Sequence, residues 1–127
     1  MKRGGIAVLI QPHRYKRALV SIASGRKRRP VAATINPAFQ PLIDAANEAI
    51  QTVIDARLFR WVATSHHSHS VRLENPTALH DFFHQGQRPP RFPGGGRQRF
   101  EALWKSRPAN AQIEVTEFLT IISLRAR

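Results

Sequence analysis

The first apolar segment of the chain covers residues 6–10 and directly follows Gly4 and Gly5. A short unbroken apolar run of this kind is typical of a strand buried on both faces, as in a parallel sheet. We therefore predict a first strand here, ended by Gln11 and Pro12. Because such a strand needs neighbours on both edges, the pattern also predicts that the chain begins in the middle of a fold.

The next segments predict a short helix, a charged loop and a long helix. Residues 14–24 place apolar side chains at helical spacing before Gly25, which predicts a short helix, and residues 26–35 read as a charged loop. Asn36 is a good N-cap and Pro37 suits the first helical position. The apolar positions that follow, up to Leu58, recur at three and four residues and predict an amphipathic helix of about six turns.

The second half of the chain predicts two further strands and two short helices. Residues 59–73 read as a strand, and Asn75 repeats the cap signal before a short apolar face. Residues 87–96 form a Pro/Gly-rich loop, and a short helix is predicted near residues 100–104. The first half of residues 113–124 alternates between apolar and polar side chains, and the second half is apolar on both faces. This pattern predicts a strand that enters the middle of a sheet. The order of elements is α/β.

Composition narrows the class of protein. The 127 residues suit one domain, predicted here as a single α/β domain or half-domain over residues 1–127, and 42% hydrophobic residues argue against global disorder. Cysteine is absent, which excludes a disulfide framework and a thiolate site and favours a cytoplasmic protein. No apolar run approaches the roughly 20 residues of a membrane span, so no membrane partner is predicted.

Charge is the most unusual property of the composition. The formal net charge is +12, and no acidic residue precedes Asp44. Such a field attracts polyanions, so a polyanion-binding face is predicted, although a solvated basic loop explains the same residues. An acid-poor, Arg-rich start also fits a mitochondrial transit peptide, which the early glycines and prolines disfavour. The predicted face consists of Arg14, Lys16, Arg17, Arg26, Lys27, Arg28 and Arg29.

One stretch resembles a known family. Arg3-Gly4-Gly5-Ile6-Ala7-Val8-Leu9-Ile10 is similar to the junction that leads into the fifth strand of class I S-adenosylmethionine-dependent methyltransferases. In that family a helix, a sixth strand and a seventh strand inserted antiparallel follow. The resemblance implies an α/β fold with a partial Rossmann-like sheet of about three strands, the last one antiparallel, and covering helices.

The resemblance covers only the carboxy-terminal half of the family fold. A complete protein would transfer a methyl group from S-adenosylmethionine. Gly94, Gly95 and Gly96 stand in a loop and precede no buried strand–helix unit, so no cofactor residue can be carried over. The resemblance therefore implies a truncated chain that is inactive alone and is not expected to bind the cofactor by itself. Its partner would be an amino-terminal methyltransferase half or a second copy in a homo-oligomer.

Gln11 and His13 are the predicted substrate-facing residues. They follow the first predicted strand, and ligands of open α/β sheets bind outside the carboxyl ends of strands. An exposed loop histidine is the plainer interpretation of His13.

The remaining histidines suggest metal ligation only weakly. They lie close together in two groups, but no cysteine assists them and Asp81 stands where a metalloprotease pattern has glutamate. We predict no metal site, and the absence of a Gly-x-Ser-x-Gly elbow or a carboxylate pair leaves no catalytic residue to name. The leading functional hypothesis is thus a methyltransferase-like chain, and the alternative is a small basic nucleic-acid-binding module. The histidines concerned are His66, His67, His69, His80 and His84.

Overall fold

A computed structural model describes residues 3–86 and 88–127 of the chain. It confirms the mixed α/β class. The described residues form these elements in chain order: β1 (Ile6–Pro12), β2 (Leu19–Ser24), β3 (Lys27–Ala33), α1 (Gln40–Asp55), β4 (Phe59–Leu73), α2 (Pro76–Phe83), α3 (Gly96–Lys105) and β5 (Gln112–Ala126).

The strands form an open antiparallel sheet in which β5 has partners on both edges. β1 pairs antiparallel with the second half of β5, from Ile6 opposite Arg125 to Pro12 opposite Leu119. β2 pairs antiparallel with the first half of β5 and with β3. β4 also pairs with β5. The prediction that the last strand enters the middle of the sheet is therefore confirmed. Its antiparallel direction does not distinguish it from the others, because β2 and β3 are also antiparallel to each other.

The prediction for β1 is wrong in two respects. β1 runs antiparallel to its neighbour, and among the described residues it pairs with β5 alone. Ala7 packs against the apolar cluster under α1, whereas Ile10 is 69% exposed. The apolar run of β1 is thus covered on one face only. The sequence does not show this, because both faces of the strand carry apolar side chains. The Rossmann-like sheet of about three strands is not confirmed, since the sheet formed by the described residues has five strands and is antiparallel.

Residues 14–24 and 26–35 also differ from their predicted structures. β2 and β3 replace the predicted helix and most of the predicted loop, and they form a hairpin. Gly25 has φ +60° and lies in the turn, so it reverses the chain instead of ending a helix. Pro30 is tolerated because β3 is an edge strand, where a missing N–H costs little.

The other predicted elements are present, with shifted boundaries. α1 begins after Phe39 rather than at Asn36, whose side chain donates to the carbonyl of Arg88 at 2.8 Å. Asn75 caps α2 as predicted, because its side-chain oxygen accepts from the N–H of Ala78 at 2.8 Å. The predicted loop over 87–96 is irregular from residue 88 until α3 begins at Gly96, while Gln87 lies outside the described residues.

The chain divides into two compact units, each with its own core. The first unit combines β1, α1 and parts of β4 and β5, within residues 1–16, 37–68 and 118–127. In it, Ile50 of α1 packs with Ile122 and Leu124 of β5. The second unit combines the β2–β3 hairpin, α2, α3 and the remaining strand halves, within residues 17–36 and 69–117. Its core includes Val20 and Ile113 packed with Phe83 and Phe100 from the helices.

The burial of β5 and the exposed face of β1 can be tested at two isoleucines of the first unit. Ile122 is 2% exposed and Ile10 is 69% exposed. We expect Ile122→Ala to lower the free energy of unfolding by about 2–5 kcal/mol, because it leaves a cavity in the core. Ile10→Ala, the same chemical change on the uncovered face, should change it by less than about 0.5 kcal/mol. Urea denaturation measures both, and an equal loss for the two variants would contradict the exposed face of β1.

Candidate functional site

The first unit contains a cavity of about 290 Å³ beside the end of β1. Its walls come from β1 and the loop after it, from α1, and from β4 and β5. Both residues predicted to face a substrate, Gln11 and His13, line this cavity. The complete lining is Gln11, His13, Arg14, Tyr15, Asn47, Trp61, Thr64, His66, Thr120 and Ile122.

His13 is held by the loop that leaves β1. Its backbone N–H donates to the carbonyl of Phe118 at 2.9 Å, which continues the β1–β5 pairing by one residue. Its ring Nδ1 accepts from the backbone N–H groups of Tyr15 and Lys16 at 3.1 and 3.0 Å. With Nδ1 acting as an acceptor, the neutral imidazole carries its proton on Nε2. His13 is therefore an oriented donor in the cavity wall.

His66 lies against His13 in the same cavity. The two ring centroids are 5.0 Å apart with an interplanar angle of 47°. The Nδ1 atom of His66, on β4, is 3.1 Å from the hydroxyl oxygen of Thr120 on the neighbouring strand β5. In the sequence, His66 stands in a group of nearby histidines and no local signal pairs it with His13. Only the register of β4 on β5 brings the two rings together.

The other histidines have different surroundings. His67 contacts the hydroxyl of Ser65 at 2.9 Å, and His69 lies 3.6 Å from a carboxylate oxygen of Glu117. His80 and His84 stack in the second unit with centroids 4.0 Å apart. Across residues 3–86 and 88–127, no group of three or more His, Cys, Asp or Glu side chains could hold a metal ion.

Two amide side chains form the wall of the cavity on the α1 side. Gln11 donates from Nε2 to Oδ1 of Asn47 at 3.3 Å. Asn47 is itself positioned by a 2.8 Å hydrogen bond from its Nδ2 to the carbonyl of Ile43, one turn earlier in α1. Amides supply both donors and acceptors, so this wall can recognise a polar ring edge.

Aromatic rings and a cation stand at the rim. Tyr15 is 74% exposed and Trp61 is 43% exposed. Trp61 is oriented by a 2.7 Å hydrogen bond from Nε1 to the hydroxyl of Thr64. The guanidinium of Arg14 lies 5.5 Å from the centroid of the Tyr15 ring, and its Nε is 3.9 Å from a carboxylate oxygen of Asp44. The cavity thus combines π-faces, amides and positive charge.

The second unit carries the densest group of predicted polyanion-binding residues. We call Arg26, Lys27, Arg28 and Arg29, at the turn and start of β3, the basic hairpin. All four residues are exposed. Arg17 belongs to the same unit, whereas Arg14 and Lys16 belong to the first unit. The predicted single basic face is therefore divided between the two units.

A buried carboxylate fixes one member of the basic hairpin. Glu114 of β5 is 2% exposed and accepts from the guanidinium groups of Arg28 and, at 3.1 Å, Arg72. Arg72 also donates to the carbonyl of Gly25 at 2.7 Å, which ties the hairpin turn to β4. Arg28 is consequently a structural residue of the second unit, unlike the outward Arg26, Lys27 and Arg29.

The second unit also has an apolar groove of about 770 Å³ between α2, α3 and the loop before α3. Its floor is a series of ring contacts from Phe83 through Phe92 and Phe100 to Trp104. Phe83 and Phe100 are buried in the core of this unit. The guanidinium of Arg107 lies 4.0 Å from the centroid of the Trp104 ring.

Scans against family models, curated proteins and solved structures found no match to this chain. The part of the chain that the structure describes contains no helix long and apolar enough to cross a membrane.

The ion pairs of Glu114 with Arg28 and Arg72 can be tested by measuring the stability of variants. We expect Arg28→Ala combined with Arg72→Ala to lower the free energy of unfolding by about 3–5 kcal/mol, because it leaves the Glu114 carboxylate buried without its partners. Adding Glu114→Gln to that pair should recover at least about 1 kcal/mol, since the uncompensated charge disappears. Chemical denaturation of the double and triple variants measures this. A triple variant no more stable than the double would contradict the role of Glu114 as the group that the two arginines hold.

Proposed function

We propose that the protein binds nucleic acid and that the basic hairpin is its main phosphate-binding surface. One observation carries this proposal: Arg26, Lys27 and Arg29 are exposed together on a short two-stranded ribbon. Clustered exposed cations bind the phosphate backbone by charge and release condensed counterions. Because charge contacts read no bases, this surface supplies affinity and not sequence specificity.

The arrangement of acidic residues supports the same conclusion. The chain has 20 lysine and arginine residues against 8 aspartate and glutamate residues. Several of the acidic groups lie against basic residues that do not belong to the basic hairpin, as in Asp44 with Arg14 and Glu101 with Arg97. Glu114, which contacts the hairpin through Arg28, is buried. The positive field of Arg26, Lys27 and Arg29 thus faces solvent.

The contacts that hold the β2–β3 hairpin in place also favour the binding of nucleic acid. Arg28 and Arg72 anchor the hairpin to Glu114, and the turn carbonyl of Gly25 is held by Arg72. A ribbon that is already ordered loses less conformational entropy when its cations meet phosphates. The four basic residues of the hairpin therefore divide into one that orders it and three that are available to bind.

Salt-dependent binding tests the proposal. The variant Arg26→Ala/Lys27→Ala/Arg29→Ala keeps Arg28, and Arg88→Ala/Arg97→Ala/Lys105→Ala removes the same charge elsewhere in the second unit. Fluorescence anisotropy with labelled oligonucleotides should show a steep loss of affinity with salt for the parent protein. The hairpin variant should lower the slope of log affinity against log salt by about 2–3, because each phosphate contact contributes about 0.7–0.9. The control variant should change it much less.

Two results would count against this proposal in different ways. Equal losses for the hairpin variant and its control would mean that net charge, and not the hairpin, determines affinity. No binding by the parent protein at low salt would contradict nucleic-acid binding altogether.

A second candidate function is methyl transfer from S-adenosylmethionine by a complete protein that contains this chain. It is favoured by the first unit, where β5 lies between β1 and β4 and α1 occurs between those two strands in the chain. The chain order of strand, helix, strand and final antiparallel strand is the order that the family resemblance implies, with the β2–β3 hairpin added between β1 and α1. The test is co-expression with the product of any upstream reading frame that encodes a Gly-rich strand–helix unit. A stable complex that binds the cofactor would support it, and separate proteins would contradict it.

A further inference from the structure

We propose that the cavity of the first unit holds one unpaired nucleobase, so that the protein prefers single-stranded nucleic acid. This inference rests on the proposed function and deepens it, since it names the form of nucleic acid that is bound. It concerns a surface separate from the basic hairpin, and the two can be tested independently.

The size of the cavity suits a single base. Its volume of about 290 Å³ is just below the roughly 300–1,000 Å³ of sites for drug-sized molecules, so the ligand must be small. A single heterocyclic ring system matches this space better than a dinucleotide or a large cofactor. A base in a duplex is stacked and paired, so it reaches such a cavity only after it is flipped out, whereas a single strand offers it directly.

The faces of the cavity suit a planar ring. Tyr15 and Trp61 expose aromatic surface at its rim, and the imidazoles of His13 and His66 lie within it at 5.0 Å from each other. Single-stranded nucleic acids bind proteins chiefly by stacking their bases on aromatic side chains beside positive charge. The hydrogen bond from Trp61 to Thr64 holds the indole in place, so its ring is ordered before a base arrives.

The edges of the cavity suit the polar edge of a base. Gln11 and Asn47 offer amide donors and acceptors, and the backbone contacts of His13 place its proton on Nε2. Arg14 stands at the mouth with its side chain half exposed, 3.9 Å from Asp44. Its guanidinium adds positive charge beside the cavity, which favours a phosphate next to a bound base.

An intrinsic fluorophore in the cavity permits a direct test. The chain has two tryptophans, so Trp104→Phe leaves Trp61 as the single indole. This variant is titrated with a single-stranded oligonucleotide and with an abasic oligonucleotide of equal length and charge, by fluorescence and anisotropy. We expect the normal strand to quench Trp61, and the abasic strand to bind about tenfold more weakly without quenching.

Two variants in the Trp104→Phe background locate the effect. Tyr15→Ala removes a rim ring that is 74% exposed, so it should weaken binding of the normal strand without changing the melting temperature. His84→Ala removes a stacked histidine of the second unit and should leave binding and quenching unchanged. Equal weakening by the two variants would overturn the assignment to this cavity.

The outcomes separate this inference from the proposed function. If normal and abasic strands bind equally and Trp61 is not quenched, the nucleobase site is overturned while nucleic-acid binding stands. If a duplex of equal length binds as tightly as the single strand, the preference for single strands is likewise overturned. If no oligonucleotide binds at low salt, the proposed function itself fails.

Discussion

The structure depends most on the pairing of β5 with strands on both of its edges. β5 pairs with β1 along its second half, with β2 along its first half, and also with β4. β5 is buried or half-buried along its whole length. Both candidate surfaces depend on it, because Thr120 contacts His66 in the first unit and Glu114 holds Arg28 and Arg72 in the second. A shift of β5 by one residue would turn both side chains to the opposite face.

The burial of Glu114 shows how a strongly basic chain uses one of its few acids. At the surface, the Glu114 carboxylate would only reduce the positive charge of the chain. Buried between two guanidiniums, it orders the basic hairpin and leaves Arg26, Lys27 and Arg29 exposed. A buried charge is tolerated here because both of its oxygens accept from arginine. Stability and the outward charge of the hairpin therefore depend on the same contacts.

The cavity of the first unit is assembled from side chains that lie far apart in the sequence. His13 follows β1, Asn47 belongs to α1, and Trp61 and His66 belong to β4. None of these residues carries a motif by itself. The fold brings two imidazoles into contact and places an oriented indole and a pair of amides around the same cavity. A site of this kind suits recognition of a planar polar ligand, which is why we connect it to a base.

Local sequence signals are sufficient to predict the elements whose patterns agree with their tertiary surroundings. The helical spacing of α1, the cap at Asn75 and the patterns of β4 and β5 were all predicted, because periodicity and capping act over a few residues. Net charge likewise follows from composition alone. Three features emerge only in the folded chain: β1 is an antiparallel strand with one exposed face, residues 19–33 form a hairpin, and His13 contacts His66. Those features depend on which strand pairs with which and in what register, and such long-range pairing leaves no trace in a short window of sequence.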